Sequence, residues 1–187
     1  FYIYNNTNNY NSSTTTDTIT DLGDGADSLQ VLTGYSNGYY TTQIVNATLA
    51  AAWTAPSDTY NNSASGSVNL FSAGYAVNLA ATTGNYGFNV TNTAGATSLT
   101  GSNFNDTLIG GTGNDSMAGG AGNDYYLFDS ITDVAIEAAS AGTDSVLATI
   151  TNATIGSEVD WLILDGIVGR GTGGSTANTL VGNSVAN

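Results

Sequence analysis

Three consecutive nine-residue lines constrain this chain more than any other feature of its sequence. Residues 101–109 read GSNFNDTLI, 110–118 read GGTGNDSMA and 119–127 read GGAGNDYYL. Each line opens on glycine (Gly101, Gly110, Gly119), carries aspartate at position 6 (Asp106, Asp115, Asp124) and a large apolar residue at position 8 (Leu108, Met117, Tyr126). The second and third add glycines at positions 2 and 4: Gly111, Gly113, Gly120 and Gly122. A unit this short cannot bury an apolar face alone, so copies must stack into a solenoid. Six turn residues followed by three strand residues point position 8 inward and leave the turn at an edge. One frame earlier, 92–100 keeps Leu99 at position 8 but has Thr97 where the acid would be.

Two weaker echoes flank the block. Residues 22–30 read LGDGADSLQ, with Gly23, Gly25, Asp27 and Leu29 at positions 2, 4, 6 and 8, beside a further acid, Asp24. Residues 173–181 read GGSTANTLV and run on into GNSVAN, with Asn178 and Asn187 at position 6 and Leu180 at position 8. These two asparagines read as ladder or turn residues, because a neutral amide gives an ion little charge. Elsewhere, β-favouring residues alternate with small polar ones at 39–45, 67–79, 85–93, 144–150 and 161–164, which predicts short strands between turns. The best helix candidate is NATLAAAW at 46–53, ended by Pro56.

Charge explains what the repeat needs. There are 15 acidic residues against a single base, Arg170, with no histidine, for a formal net charge of −14. Such a surface repels nucleic acid and anionic membranes, and it opposes its own compaction. Position-6 carboxylates in stacked turns lie about 4.7–4.9 Å apart, where two charges repel by about 3 kcal/mol at an effective dielectric near 20. Burying one position-8 side chain returns roughly 1.5–3 kcal/mol. A bare ladder is therefore marginal. A cation shared between turns reverses the sign of the charge term, and its affinity becomes folding free energy. Hard carboxylate and carbonyl oxygens favour Ca2+.

The pattern GGxGxDxUx resembles the RTX, or haemolysin-type, repeat, and 101–127 depart from it little. Residues 122–146 resemble the segment that follows such repeats in long bacterial RTX adhesins, and VDWLILDG with ANTLVGN is similar to their degenerate repeats. The likeness runs with falling strength from about Tyr86 to Asn187, while 31–85 carry no motif that can be placed. It implies an all-β fold, a parallel β-roll or β-solenoid after a β-rich segment. The corresponding division is a β-rich part at 1–85 with one isolated turn at 22–30, a calcium-binding roll at 86–136, and a degenerate continuation at 137–187. Alternate turns of the family share an ion, which implies one Ca2+ between turns 101–106 and 119–124. Its ligands would be Asp106, Asp124 and backbone oxygens around Gly101, Asn103, Gly120 and Gly122. A second ion would sit on the other edge with Asp115, Gly111 and Gly113, facing 128–133, where Asp133 falls at position 6 without glycines. Ser102 and Phe104 replace glycines in the first turn. Gly23, Gly25 and Asp27 form an isolated candidate site without a partner turn; acidic turns that favour Asx geometry are the plain alternative for these aspartates.

Catalytic patterns are poor. Gly34-Tyr35-Ser36-Asn37-Gly38 fits GxSxG, but a chain without histidine lacks the usual base, and HExxH is impossible for the same reason. Glycine-rich 169–174 has no following lysine to hold a phosphate. There is no cysteine, hence no disulfide or thiolate site, and no apolar run approaches the roughly 18–20 residues that span a bilayer. Phe1-Tyr2-Ile3-Tyr4 lacks a basic leader, so the chain reads as a segment of something longer. The expectation is a non-enzymatic, calcium-stabilised structural or adhesive part of a secreted bacterial surface protein (an S-layer, filament or adhesin), exported by type I secretion and self-associating with copies or with the rest of a longer chain. The alternative is the calcium-binding module of a secreted RTX protease or lipase. Glycan contact through Tyr35, Tyr39, Tyr40, Trp53 and Tyr60 is a third expectation.

Overall fold

Parallel pairing organises nearly every strand. A computed structural model describes residues 2–3, 15–23, 27–31, 34–36, 39–41, 43–63, 67–165 and 169–183. Nine strands, Thr15–Leu22, Gln43–Leu49, Ser67–Ser72, Asn89–Asn92, Thr107–Ile109, Tyr125–Phe128, Ser145–Ala148, Trp161–Leu164 and Thr179–Val181, form one long sheet in chain order. All its neighbours are parallel. Opposite it, Trp53–Thr54, Val77–Asn78, Ser98–Thr100, Ser116–Ala118 and Val134–Ile136 make a second parallel sheet. The result is a parallel β-solenoid of about 7 turns, with no helix among the described residues.

Coil length sets the cross-section. A third sheet, Tyr2–Ile3, Gln30–Val31, Tyr60–Asn61 and Thr83–Gly84, covers the early coils and stops at Gly84. There, side-chain ladders link Asn46 to Asn69 over 23 residues and Asn69 to Asn89 over 20. Beyond it the step falls to 18, two nonapeptides, so that Val90 stacks on Leu108 and Leu108 on Tyr126. Three faces thus become two. Later steps are 20 and 16 residues.

Period-two alternation then fills the interior. Ile19, Ala47, Leu70, Val90, Leu108, Tyr126, Val146 and Leu162 form one buried column on the long sheet. Trp53, Val77, Leu99, Met117 and Ala135 face it from the second sheet.

Two expectations need correction. Residues 46–53 are not helical: Gln43–Leu49 is a strand and Trp53–Thr54 the next. The alanine-rich composition suits a helix, but Val45, Ala47 and Leu49 are buried at alternate positions between two parallel neighbours, and pairing outweighs propensity. The strand expected at 67–79 is two, Ser67–Ser72 and Val77–Asn78, separated by a corner where Gly74 has φ +84°.

Candidate metal sites

Each edge of the roll carries a column of aspartates at the residue just before a strand. On the first edge the amide of Phe88 donates to Oδ1 of Asp106 at 2.6 Å, that of Asp106 to Oδ1 of Asp124 at 2.7 Å, that of Asp124 to Oδ1 of Asp144 at 2.8 Å, and that of Asp144 to Oδ2 of Asp160 at 2.8 Å. On the second edge Thr97 donates to Asp115 at 2.8 Å and Asp115 to Asp133 at 3.1 Å, both onto Oδ1. Asp106, Asp115, Asp124, Asp133 and Asp144 are all buried.

The glycines let these turns stack. Gly111 (φ +72°) lies on Asn92 and Gly113 on Ala96; Gly120 lies on Ser102 and Gly122 (φ +117°) on Phe104. A Cβ at Gly122 would stand 2.6 Å from the carbonyl carbon of Phe104. Gly101 is packed between the carboxylate of its own Asp106 and the carbonyl of Gly119, while Asn103 is exposed. Turn 101–106 compensates for its missing glycine: Ser102 donates its amide (2.6 Å) and hydroxyl (2.8 Å) to Oδ2 of Asp106. In turn 128–133, Oδ2 of Asp133 accepts the amides of Asp129 (3.0 Å) and Ser130 (2.9 Å), as Oδ2 of Asp106 accepts that of Ser102.

The electrostatics favour a bound cation. Oδ2 of Asp115, Asp124 and Asp144 is buried and accepts no hydrogen bond. Burial holds Asp106 up at about 6, against hydrogen bonds from Ser102 and Phe88, and Asp124 up at about 7, with the charges of Asp106 and Asp144 adding to it. Asp115 and Asp144 are raised as well, first by burial and then by neighbouring aspartates. Asp115, exposed Asp129 and Asp133 bring carboxylate oxygens within 4.8 Å of one another. All donors are hard oxygens, which fits Ca2+.

Residues 91–127 match the family model of the RTX calcium-binding nonapeptide repeat, in four copies. Residues 91–127 are RTX repeats. No curated protein and no solved structure matches it. RTX repeats bind Ca2+, and here they form a calcium-binding β-roll module.

The RTX frame brings Asp106 to Asp124 and Asp115 to Asp133. Among the described residues it does not join Asp27 to either edge: Asp27 Oδ2 accepts the amide of Gly23 (3.0 Å), which lies against Ala51 and Trp53, and the Asp27 carbonyl accepts the indole N–H of Trp53 (3.1 Å). Gly25, Asp24 and Asn187 lie outside the described residues. Asn178 ties its amide to the carbonyl of Val159, as a ladder residue. Sequence reasoning missed Asp129, Glu137, Asp144 and Asp160. Asp144 opens the strand predicted at 144–150 and Asp160 directly precedes the one at 161–164, and that position was the available signal.

Proposed function

We propose that this RTX chain is a calcium-cemented, non-enzymatic structural segment of a secreted bacterial surface protein, of the S-layer, filament or adhesin kind. RTX repeat proteins typically leave the cell by type I secretion. The observation that carries the reading is the unbroken inward column from Ile19 to Leu162, flanked by aspartates stacked coil upon coil. Such a rod transmits load along its axis, and each ion ties one coil to the next. At extracellular calcium, near 10⁻⁴–10⁻³ M, modules of this class fill.

Self-association is supported at the last coil. Leu180 continues the buried column beyond Leu162, yet it is 48% exposed on an edge strand. Among the described residues this strand ends the long sheet, and an apolar edge of that kind accepts one more parallel coil, from another copy or from the rest of a longer chain.

The experiment is circular dichroism and electron microscopy of the chain with Ca2+ and with chelator. Calcium-induced β signal together with rods or sheets is the expected result. Identical spectra under both conditions overturn the reading, and folded, dispersed monomers at every calcium concentration remove its assembly part. Catalytic sequences encoded beside the repeats would favour the alternative, a protease or lipase module.

Glycan contact is favoured at a place other than the expected aromatics. Trp53 is in the core. A cleft of about 470 Å³ opens where the third sheet stops, lined by Tyr86, Phe104, Asn85, Asn89, Asn103 and Asn105 among others. Aromatic faces with amides suit a neutral saccharide. A glycan array silent for wild type removes this reading.

A further inference from the structure

The repeat puts glycine at position 1 because that slot is full. A Cβ at Gly119 would strike the carboxylate of Asp124 and the hydroxyl of Tyr126. Ala118 pairs with Ile136, so the next residue, Glu137, lies over Gly119 and brings a side chain to the slot the repeat leaves bare. The coil there is longer: Asp124 to Asp144 spans 20 residues where Asp106 to Asp124 spans 18.

The glutamate turns inward, toward the aspartates. Its Oε1 accepts the Tyr126 hydroxyl, and its Oε2 is buried with no hydrogen bond. Oδ2 of Asp124 and of Asp144 are also buried without one, on residues each only 1% exposed. Asp124, Glu137 and Asp144 each supply one oxygen, all within 4.8 Å of one another. Oxygens on opposite sides of a calcium ion, at 2.3–2.6 Å each, lie roughly 4.6–5.2 Å apart, so these three fit one coordination sphere. The chain has one basic side chain, exposed Arg170, to offer instead.

We propose that Asp124, Glu137 and Asp144 form a separate cation site, with a side chain as ligand where the repeat has glycine, which binds Ca2+ at the junction between the repeat block and the later coils. It rests on the calcium reading above and departs from the pattern of the repeats. Those join two turns through position-6 aspartates and backbone oxygens. Here three carboxylates converge, and Glu137 arrives from the end of strand Val134–Ile136 on the opposite sheet. More ligand charge means tighter binding than in a two-aspartate turn, and the third carboxylate of the other edge, Asp129, is exposed and screened by solvent where Glu137 is half-buried, so this site fills first. Its ion ties both sheets to one edge where the second sheet stops.

The test uses the intact chain and Tb3+, whose emission is excited through a tyrosine close to the ion. Tyr126, hydrogen-bonded to a ligand, is that tyrosine. Early in the titration, wild type shows sensitised emission that Ca2+ displaces. Glu137→Gln abolishes this first phase, lowers the calorimetric calcium count by one and weakens the first binding event at least tenfold. Asp58→Asn, at an exposed aspartate of the early coils outside both edges, leaves emission and count intact. Tyr126→Phe loses the emission but keeps the count, which separates lost sensitisation from a lost site. Glu137→Gln removes one charge from an anionic cluster at constant shape, and circular dichroism in calcium verifies its fold. If that variant folds and retains wild-type emission and count, the site is overturned while the calcium reading stands. A wild-type chain that binds no calcium sinks both.

Discussion

The amide of Asp106 donates to Oδ1 of Asp124 across one coil, at 2.7 Å. The same bond recurs between Asp124 and Asp144, so a single residue type divides two tasks between its oxygens. At Asp124 one oxygen fastens the preceding coil, and the other, buried and without a hydrogen bond, is left for a cation. At Asp106 Ser102 takes up the second oxygen.

Removing that fastening has a defined cost. Asp124→Ala leaves the Asp106 amide buried without an acceptor, a loss of about 1–3 kcal/mol in saturating calcium. Asp27→Ala breaks one local bond to Gly23 at a half-buried position and loses about 0.5–1.5 kcal/mol. It also weakens calcium binding less than Asp124→Ala does. Denaturant midpoints and calcium titrations of both variants check the order; a reversal of either moves the site elsewhere.

Stability without calcium falls as pH rises. Asp106, Asp124 and Glu137 stand at about 6, 7 and 8 in the folded chain, all raised chiefly by burial, against 3.8, 3.8 and 4.5 when unperturbed. Between about pH 4 and 8 the folded state holds protons that the unfolded state has released. The stabilisation is therefore full below pH 4 and is lost on the way to 8. Calcium binding expels the same protons, so affinity rises with pH. Melting temperatures in chelator across this range should fall, and saturating calcium should flatten the curve; a melting point that climbs with pH in chelator contradicts the site electrostatics.

Two glycines with positive φ separate strain from stacking. At Gly95 (φ +58°) a Cβ meets nothing within 4 Å, so Gly95→Ala bears only the left-handed backbone penalty, about 1–2 kcal/mol. Gly122→Ala adds collisions with backbone at Phe104 and Asn105, pushes two coils apart and costs at least about 3 kcal/mol. Thermal unfolding in calcium measures both. Equal losses would mean that the turns do not stack.

Calcium dependence should be local. The early coils are joined by neutral amides: Asn46, Asn69 and Asn89 form a ladder, Asn61 donates to the carbonyl of Gly87, and Asn92 donates to the carbonyls of Ala94, Gly95 and Gly110. These need no counter-ion. In chelator, hydrogen exchange should stay slow in strands Gln43–Leu49, Ser67–Ser72 and Asn89–Asn92 and become fast at the amides of Asp106, Asp124 and Asp144. Uniform loss of protection would show that the ions support the whole solenoid.

Much of this was readable residue by residue. The resemblance, in which two nonapeptides make one coil, assigned Asp106 and Asp124 to one edge and Asp115 and Asp133 to the other, and strand alternation turned Leu108, Met117 and Tyr126 inward. The net charge of −14 called for a cation. Tertiary structure alone decided the rest. Asp144 and Asp160 join the first edge over steps of 20 and 16 residues, Glu137 enters a slot the repeat reserves for glycine, and the alanine-rich 46–53 became the end of one strand, a corner and the start of the next. The physical reason is common to all three: a regular repeat carries its stacking register in local spacing, whereas an irregular coil takes its register from the parallel neighbours it pairs with, and those contacts are distant in sequence.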